Sequence, residues 1–106
     1  MFFPNKDANP INALPGLTRR TLAQGSSMMI CEFTFDAHVT IPIHSHPHEQ
    51  VGYLVEGHAE MNIDGKKCEL LKGDAYYVPP NVPHGVYTLE PSMIVDTFCP
   101  PREDYR

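Results

Sequence analysis

No stretch of this chain shows apolar residues at helical spacing behind a capping residue; short runs of period two, each stopped by turn residues, take their place. Met28 to Phe35 sets Met29, Cys31, Phe33 and Phe35 on one face and Glu32 and Thr34 on the other. The same reading predicts strands at Leu17–Leu22, Val39–His44, Gln50–Glu56, His58–Ile63, Lys66–Leu70, Ala75–Val78, His84–Leu89 and Ser92–Cys99. Asp64-Gly65 is a strong hairpin turn, and Pro79-Pro80-Asn81-Val82-Pro83 a rigid corner. Residues 1–16, punctuated by Pro4, Pro10 and Pro15, read as an irregular N-terminal arm, and 17–106 as one domain. Many short strands with turns between them mean an all-β sandwich or small barrel.

His44 and His46 stand two apart at the end of one predicted strand. At ~3.3 Å of rise per residue their Cα atoms lie ~6.6 Å apart on the same face, close enough for two imidazoles to meet on one metal ion. His48, ~13 Å from His44 on a straight strand and beyond Pro47, is too far to share that ion and reads as a rim residue that meets the ligand. Gln50, at the start of the next strand and on its inward face with Gly52 and Leu54, and His84, after the proline corner, are the candidates to complete the set. His38 and His58 read as surface residues.

A formal charge of −5 and the absence of a basic run exclude nucleic acid and anionic membranes as partners. Lys66-Lys67 and Arg19-Arg20, the only basic pairs, read as solvated hairpin or strand ends. No apolar run approaches ~18 residues, and Met1-Phe2-Phe3-Pro4-Asn5-Lys6 lacks the layout of a signal peptide, so a cytoplasmic location is expected. Cys31, Cys68 and Cys99, odd in number and widely spaced, read as reduced, buried small hydrophobes. A homodimer formed through edge strands or by exchange of the arm is the expected assembly.

With these residues placed, the chain resembles the cupin superfamily, whose double-stranded β-helix (jelly-roll barrel) carries a metal at its mouth. Its first pattern is met by His44, His46, Gln50 and Gly57, and its second by Gly73, Pro79, Asn81 and His84. The sequence departs from the patterns at His38 and Asn81, where Gly is usual, and at Gln50, where the ligand is usually Glu. The resemblance implies one divalent transition metal held by His44, His46, Gln50 and His84. Ni and Zn are favoured, and Fe, Mn and Co also accept such a set. Three imidazoles and an amide leave the ion its full dication charge, which suits Lewis-acid work.

The tail Cys99-Pro100-Pro101-Arg102-Glu103-Asp104-Tyr105 and the run from His44 to Gly57 resemble the small pectin-degradation cupins of the KdgF type. That resemblance implies Asp96, Phe98 and Arg102 as the catalytic residues. It also implies conversion of 4,5-unsaturated monouronates, from pectin or alginate, into linear 4-deoxy-5-keto-uronates. Alternation already places Ile94, Asp96 and Phe98 on one face, and a carboxylate in an apolar row must be paired or used. Its expected partners are the metal site and Arg102, the latter as a bridge to Asp96 if the pair is structural. Tyr53 or Tyr77 would add a hydroxyl at the rim. The rival readings are a metal-dependent oxygenase of the cupin type and a non-catalytic cupin that only binds a sugar acid.

Overall fold

A computed structural model describes all 106 residues. Ten strands form two antiparallel sheets. In chain order they are β1 (Ile11–Leu14), β2 (Leu17–Gln24), β3 (Met29–Phe35), β4 (Thr40–His44), β5 (Glu49–Glu56), β6 (His58–Ile63), β7 (Lys66–Leu71), β8 (Ala75–Val78), β9 (His84–Thr88) and β10 (Ser92–Cys99). One sheet runs β1-β2-β3-β10-β5-β8 and the other β4-β9-β6-β7. This is the jelly-roll barrel that the strand pattern and the resemblance led one to expect. Strand ends shift by one or two residues, as hydrogen-bond definitions allow.

Alternation dictates what faces inward. Met29, Cys31, Phe33 and Phe35 of β3 meet Ile94 and Phe98 of β10, Leu54 of β5 and Met61 of β6 in one apolar core. Burial of these side chains at ~25 cal/mol per Å2 of apolar area drives closure of the sheets. Towards one end the inward positions turn polar: His46, Gln50, His84 and Asp96 are all buried. Buried polar groups are costly without partners, so this end of the barrel is where the chain departs from pure core-building.

The N-terminal arm is more ordered than its prolines suggest. Ile11–Leu14 forms β1, pairing with β2 across the Pro15-Gly16 turn, where Gly16 has a φ of 80°. Asn5–Asp7 makes a single 3-10 turn, held by Arg20, which bonds the Asn5 and Ala8 carbonyls and the Glu32 carboxylate. The two positions where the cupin patterns expect Gly keep the glycine-like backbone: His38 has a φ of 62° and Asn81 of 65°. His38 is exposed, with its Nδ1 2.8 Å from the Tyr87 hydroxyl. His58 is half-buried with Nε2 3.0 Å from the Glu69 carboxylate. Of the cysteines only Cys31 is buried; Cys68 and Cys99 are exposed, against the expectation of three core thiols. No helix is long and apolar enough to cross a membrane.

Candidate metal centre and acid pocket

Antiparallel pairing of β4 with β9 sets His44 opposite His84, while His46 follows just beyond β4. The ligand atoms of His44, His46 and His84 all lie within 4.8 Å of one another. Each imidazole is oriented the same way. Nδ1 of His44 lies 2.9 Å from the Pro42 carbonyl, that of His46 3.0 Å from the His48 carbonyl, and that of His84 2.8 Å from the Val82 carbonyl. A carbonyl only accepts, so each Nδ1 carries the proton and each Nε2 presents a bare lone pair to the shared space. Such backbone partners are how proteins aim ligating histidines.

Two further observations fit a cation there. Nε2 of His84 is buried and has no hydrogen-bond partner. Nε2 of His46 stands 3.0 Å from Oε1 of Gln50, two acceptors with no proton between them. Two acceptors this close are what a shared cation would hold together. Burial, with the neighbouring imidazoles and the Arg102 charge in support, pushes the His84 pKa down to about 4 despite the Val82 bond; burial also lowers His46. Both rings are therefore neutral donors at pH 7. His48 does not join the triad; it packs edge-on to His46 with its Nδ1 buried and unpartnered.

Asp96 occupies the middle of the six-stranded sheet. β10 pairs with β5, Asp96 opposite Gly52, and β5 pairs with β8, Gly52 opposite Tyr76. Tyr76 reaches across the empty Gly52 position and donates a 2.5 Å hydrogen bond to Oδ1 of Asp96. Asp96 is 5% exposed. Burial raises its pKa to about 6, against the hydrogen bonds from Tyr76 and Gln50 and the Arg102 charge, which favour the ionised form. Burial and the facing carboxylate push the Tyr76 phenol well above its usual value. The amide at position 50 thus turns its oxygen towards His46 and supports the Asp96 carboxylate. A Glu there would set a second negative charge against Asp96.

Gly52 is a steric requirement. A Cβ there would fall 2.0 Å from Cζ of Tyr76 and 2.3 Å from Oδ1 of Asp96. Gly52→Ala should therefore drive Tyr76 away from Asp96 and destabilise the fold by ~1–3 kcal/mol. A thermal melt and a turnover assay would show both losses, and a variant that melts and turns over normally would contradict this packing.

Phe98, beside Asp96 on the inward face, is fully buried and edge-on to His46 at 5.9 Å. Arg102 lies over the Tyr105 ring at 4.0 Å. Its fork takes Asp104, Nη2 to Oδ2 at 3.1 Å, and no Asp96–Arg102 ion pair forms. The carboxyl finds its hydrogen bond in a phenol, not in the guanidinium expected. A cavity of about 60 Å3 is lined by His44, Gln50, His84, Tyr76, Asp96, Phe98 and Arg102. All the residues singled out for metal and acid chemistry except His46 line it directly, and His46 backs it through Gln50 and Phe98. Tyr53 and Tyr77 stay outside, half-exposed on the outer face of β5 and β8. Tyr76 is the aromatic hydroxyl of the site. Its signal was the register: it shares β8's inward parity with Val78.

A two-sheet barrel with a histidine triad at its polar end that could hold a metal ion is the build of a cupin, and the chain belongs to the cupin family, matching the Cupin domain over residues 31–98. Within that family it is similar to the pectin degradation protein KdgF of Dickeya dadantii (strain 3937), with 37% identity over 93 residues, 85% of this chain and 84% of that protein. The structure of KdgF from Halomonas sp. superposes with a TM-score of 0.94 at 34% identity, covering 100% of this chain and 98% of that one. An RmlC-like cupin from Shewanella frigidimarina NCIMB 400 matches equally, with a TM-score of 0.94 and 34% identity over 99% and 95% of the two chains.

Proposed function

We propose that this cupin is an enzyme that converts 4,5-unsaturated monouronates into linear 4-deoxy-5-keto-uronates. The observation that carries the reading is a buried carboxyl with a pKa of about 6, in the same small cavity as unpartnered histidine lone pairs and an arginine. Similarity to the pectin degradation protein KdgF supports a small sugar acid as the substrate.

The reaction is an isomerisation. The C1 hydroxyl of the cyclic hemiacetal loses its proton, the bond from C1 to the ring oxygen breaks, and that oxygen takes up a proton, which leaves an aldehyde at C1 and an enol at C5. The enol then loses its hydroxyl proton while C4 gains one, leaving a ketone at C5. An alternative order adds water across C4=C5, the proton to C4 and the hydroxyl to C5. The hemiketal then opens by breaking the bond from C5 to the ring oxygen, which leaves the C5 ketone and an aldehyde hydrate at C1 that loses one water. Both orders need one group that accepts and returns a proton near neutral pH, and Asp96 has the pKa for it. Tyr76 holds Oδ1, so Oδ2 is the oxygen left to exchange protons with the ligand. Phe98 walls the cavity beneath the sugar ring. Arg102 keeps Asp104 on its Nε and Nη2 edge and offers its remaining Nη1 donors to the ligand carboxylate. A divalent metal held by His44, His46, His84 and Gln50 would supply Lewis-acid stabilisation of negative charge on ligand oxygens.

The test is loss of the conjugated-alkene absorbance of an unsaturated monouronate mixed with the metal-reconstituted protein. Decay above the spontaneous rate is expected. Binding without faster decay, or oxygen consumption with another substrate, would replace this reading by one of its rivals. Arg102→Ala should raise KM by about 10- to 100-fold and change kcat far less, because it removes a charge-assisted contact made before and during the reaction. A fall in kcat at unchanged KM in steady-state assays would move Arg102 from binding to chemistry.

A further inference from the structure

We propose that Arg19 is a second anion-binding residue of this site, and that the vestibule it shares with Arg102 receives the carboxylate end of the ligand. The proposal deepens the uronate reading and rests on it for the ligand class.

Strand alternation in β2 puts Leu17, Arg19 and Thr21 on one face and Thr18 and Arg20 on the other. Leu17 is a core residue and Thr21 contacts the buried Cys31, so that face is the inner one. Arg20, on the outer face, holds the N-terminal arm. The basic pair is thus split between two surfaces, and only one member serves as a strut.

Arg19 is the one arginine without an anionic partner. Arg20 pairs with Glu32, Arg102 with Asp104 and Arg106 with Glu103, whereas Arg19 makes no ion pair and no side-chain hydrogen bond. It is half-buried, with its guanidinium 4.0 Å from the centre of the Tyr105 ring, the same distance as Arg102. Asp104 feels both cations. Burial would raise it, but the Arg102 bond and charge, helped by the Arg19 charge, hold it below the usual range. One carboxylate facing two guanidiniums leaves this corner one positive charge in excess, in a chain whose net charge is −5. A guanidinium stacked on Tyr105 with no carboxylate of the protein on its fork has its donors open to an anion from outside.

Cavity size says that the ligand reaches it. The inner cavity of about 60 Å3 holds roughly four to six waters at ~10–15 Å3 each, too little for a sugar acid of about a dozen non-hydrogen atoms. It abuts a vestibule of about 280 Å3, whose walls include Arg19, Arg102, Tyr105 and His44 with the apolar Leu17 and Ile41. His44, Ile41, Arg102 and Tyr105 line both. The carboxylate is carried by C5, next to the C4 that takes the proton. With C4 against Asp96 the carboxylate meets the shared wall at Arg102, and Arg19, beside the same Tyr105 ring, borders the space just beyond.

The test reads binding apart from turnover. Metal-reconstituted wild type and Arg19→Gln are titrated calorimetrically with D-galacturonate, a saturated uronate that cannot react, and with neutral D-galactose. Wild type is expected to prefer the uronate, and Arg19→Gln to bind it about 10- to 100-fold more weakly with galactose affinity unchanged. Arg19→Lys, which keeps the charge and loses the fork, should lose roughly 3- to 10-fold and covers the case in which the Gln variant fails to fold. With unsaturated uronate the effect should fall on KM, with kcat within about 3-fold of wild type. No preference for the uronate in wild type, unchanged uronate affinity in both variants, or equal weakening for both sugars would overturn the proposal. Failure of the isomerase reading shows separately, as absence of alkene loss in wild type, and leaves the binding comparison intact.

Discussion

Asp96→Asn is expected to leave the metal bound, to lower turnover by about 10²- to 10⁴-fold, and to make the metal-free protein more stable near neutral pH. The first two effects follow if the carboxyl moves protons and does not ligate the ion. The third follows from its pKa. In the fold Asp96 titrates at about 6, against ~3.9 in an unfolded chain. Between those values the native state binds more protons than the unfolded state, so stability falls as pH rises from about 4 to about 6 and stays reduced above that. A shift of about two units corresponds to roughly 2–3 kcal/mol at pH 7, of which an uncharged Asn that still accepts the Tyr76 bond recovers most. Thermal melts of chelator-treated protein should therefore show wild type and variant together near pH 3.5, and the variant about 5–15 °C higher at pH 7.5. A variant that melts lower at pH 7.5 would mean that the Asp96 charge is structurally paired. Metal lost from the variant, with turnover restored by added metal, would make it a ligand instead of an acid.

A buried carboxyl kept at a cost in stability is the sort of residue that sequence patterns reveal well, and Asp96 was legible because polar residues in an apolar row violate the alternation around them. The three histidines were legible for the same reason of geometry: two apart on a strand end, and one across a rigid corner. Other features depended on the partner strand, which local pattern does not name. The orientation of Tyr76 could be read from alternation, but its hydrogen bond to Asp96 depends on Gly52 lying between them in the register. Tyr53 and Tyr77, equally plausible in sequence, carry the opposite parity. Arg19 and Arg20 look alike as a basic pair, yet period two sends them to opposite faces. β1 was missed because a four-residue run between prolines gains its order only from pairing along β2. Cys68 and Cys99 were misjudged on a preference for burial that β7 and the end of β10 do not honour. The choice of Gln over Glu at position 50 was visible as a departure. Its physical reason, a carboxylate close by that an amide supports and a second carboxylate would repel, needed the packing of β5 on β10.

The other large effect concerns the metal. Stripping it with a chelator should abolish turnover, and adding it back should raise the melting temperature of wild type markedly. The metal-free site holds three Nε2 lone pairs within 4.8 Å of one another, one buried without any partner and one 3.0 Å from an amide oxygen. Nothing in the protein relieves that arrangement, whereas a dication bound only by the native state stabilises it by mass action, ~2.7 kcal/mol at 100 times the dissociation constant. For a domain of this size that is a rise of about 10–20 °C. His84→Ala removes the one ligand supplied by β9 and should lose most of this metal-dependent rise together with turnover. The metal-free variant should melt within a few degrees of metal-free wild type, because the deleted ring carried an unsatisfied nitrogen whose cost offsets part of the lost packing. Comparing the two proteins with and without metal separates a ligand from a core residue: a ligand changes the metal-dependent difference, a core residue only the baseline. A wild type whose melting point is indifferent to Ni, Zn, Fe, Mn and Co, and whose turnover survives chelation, would show that the three imidazoles converge for some purpose other than holding an ion.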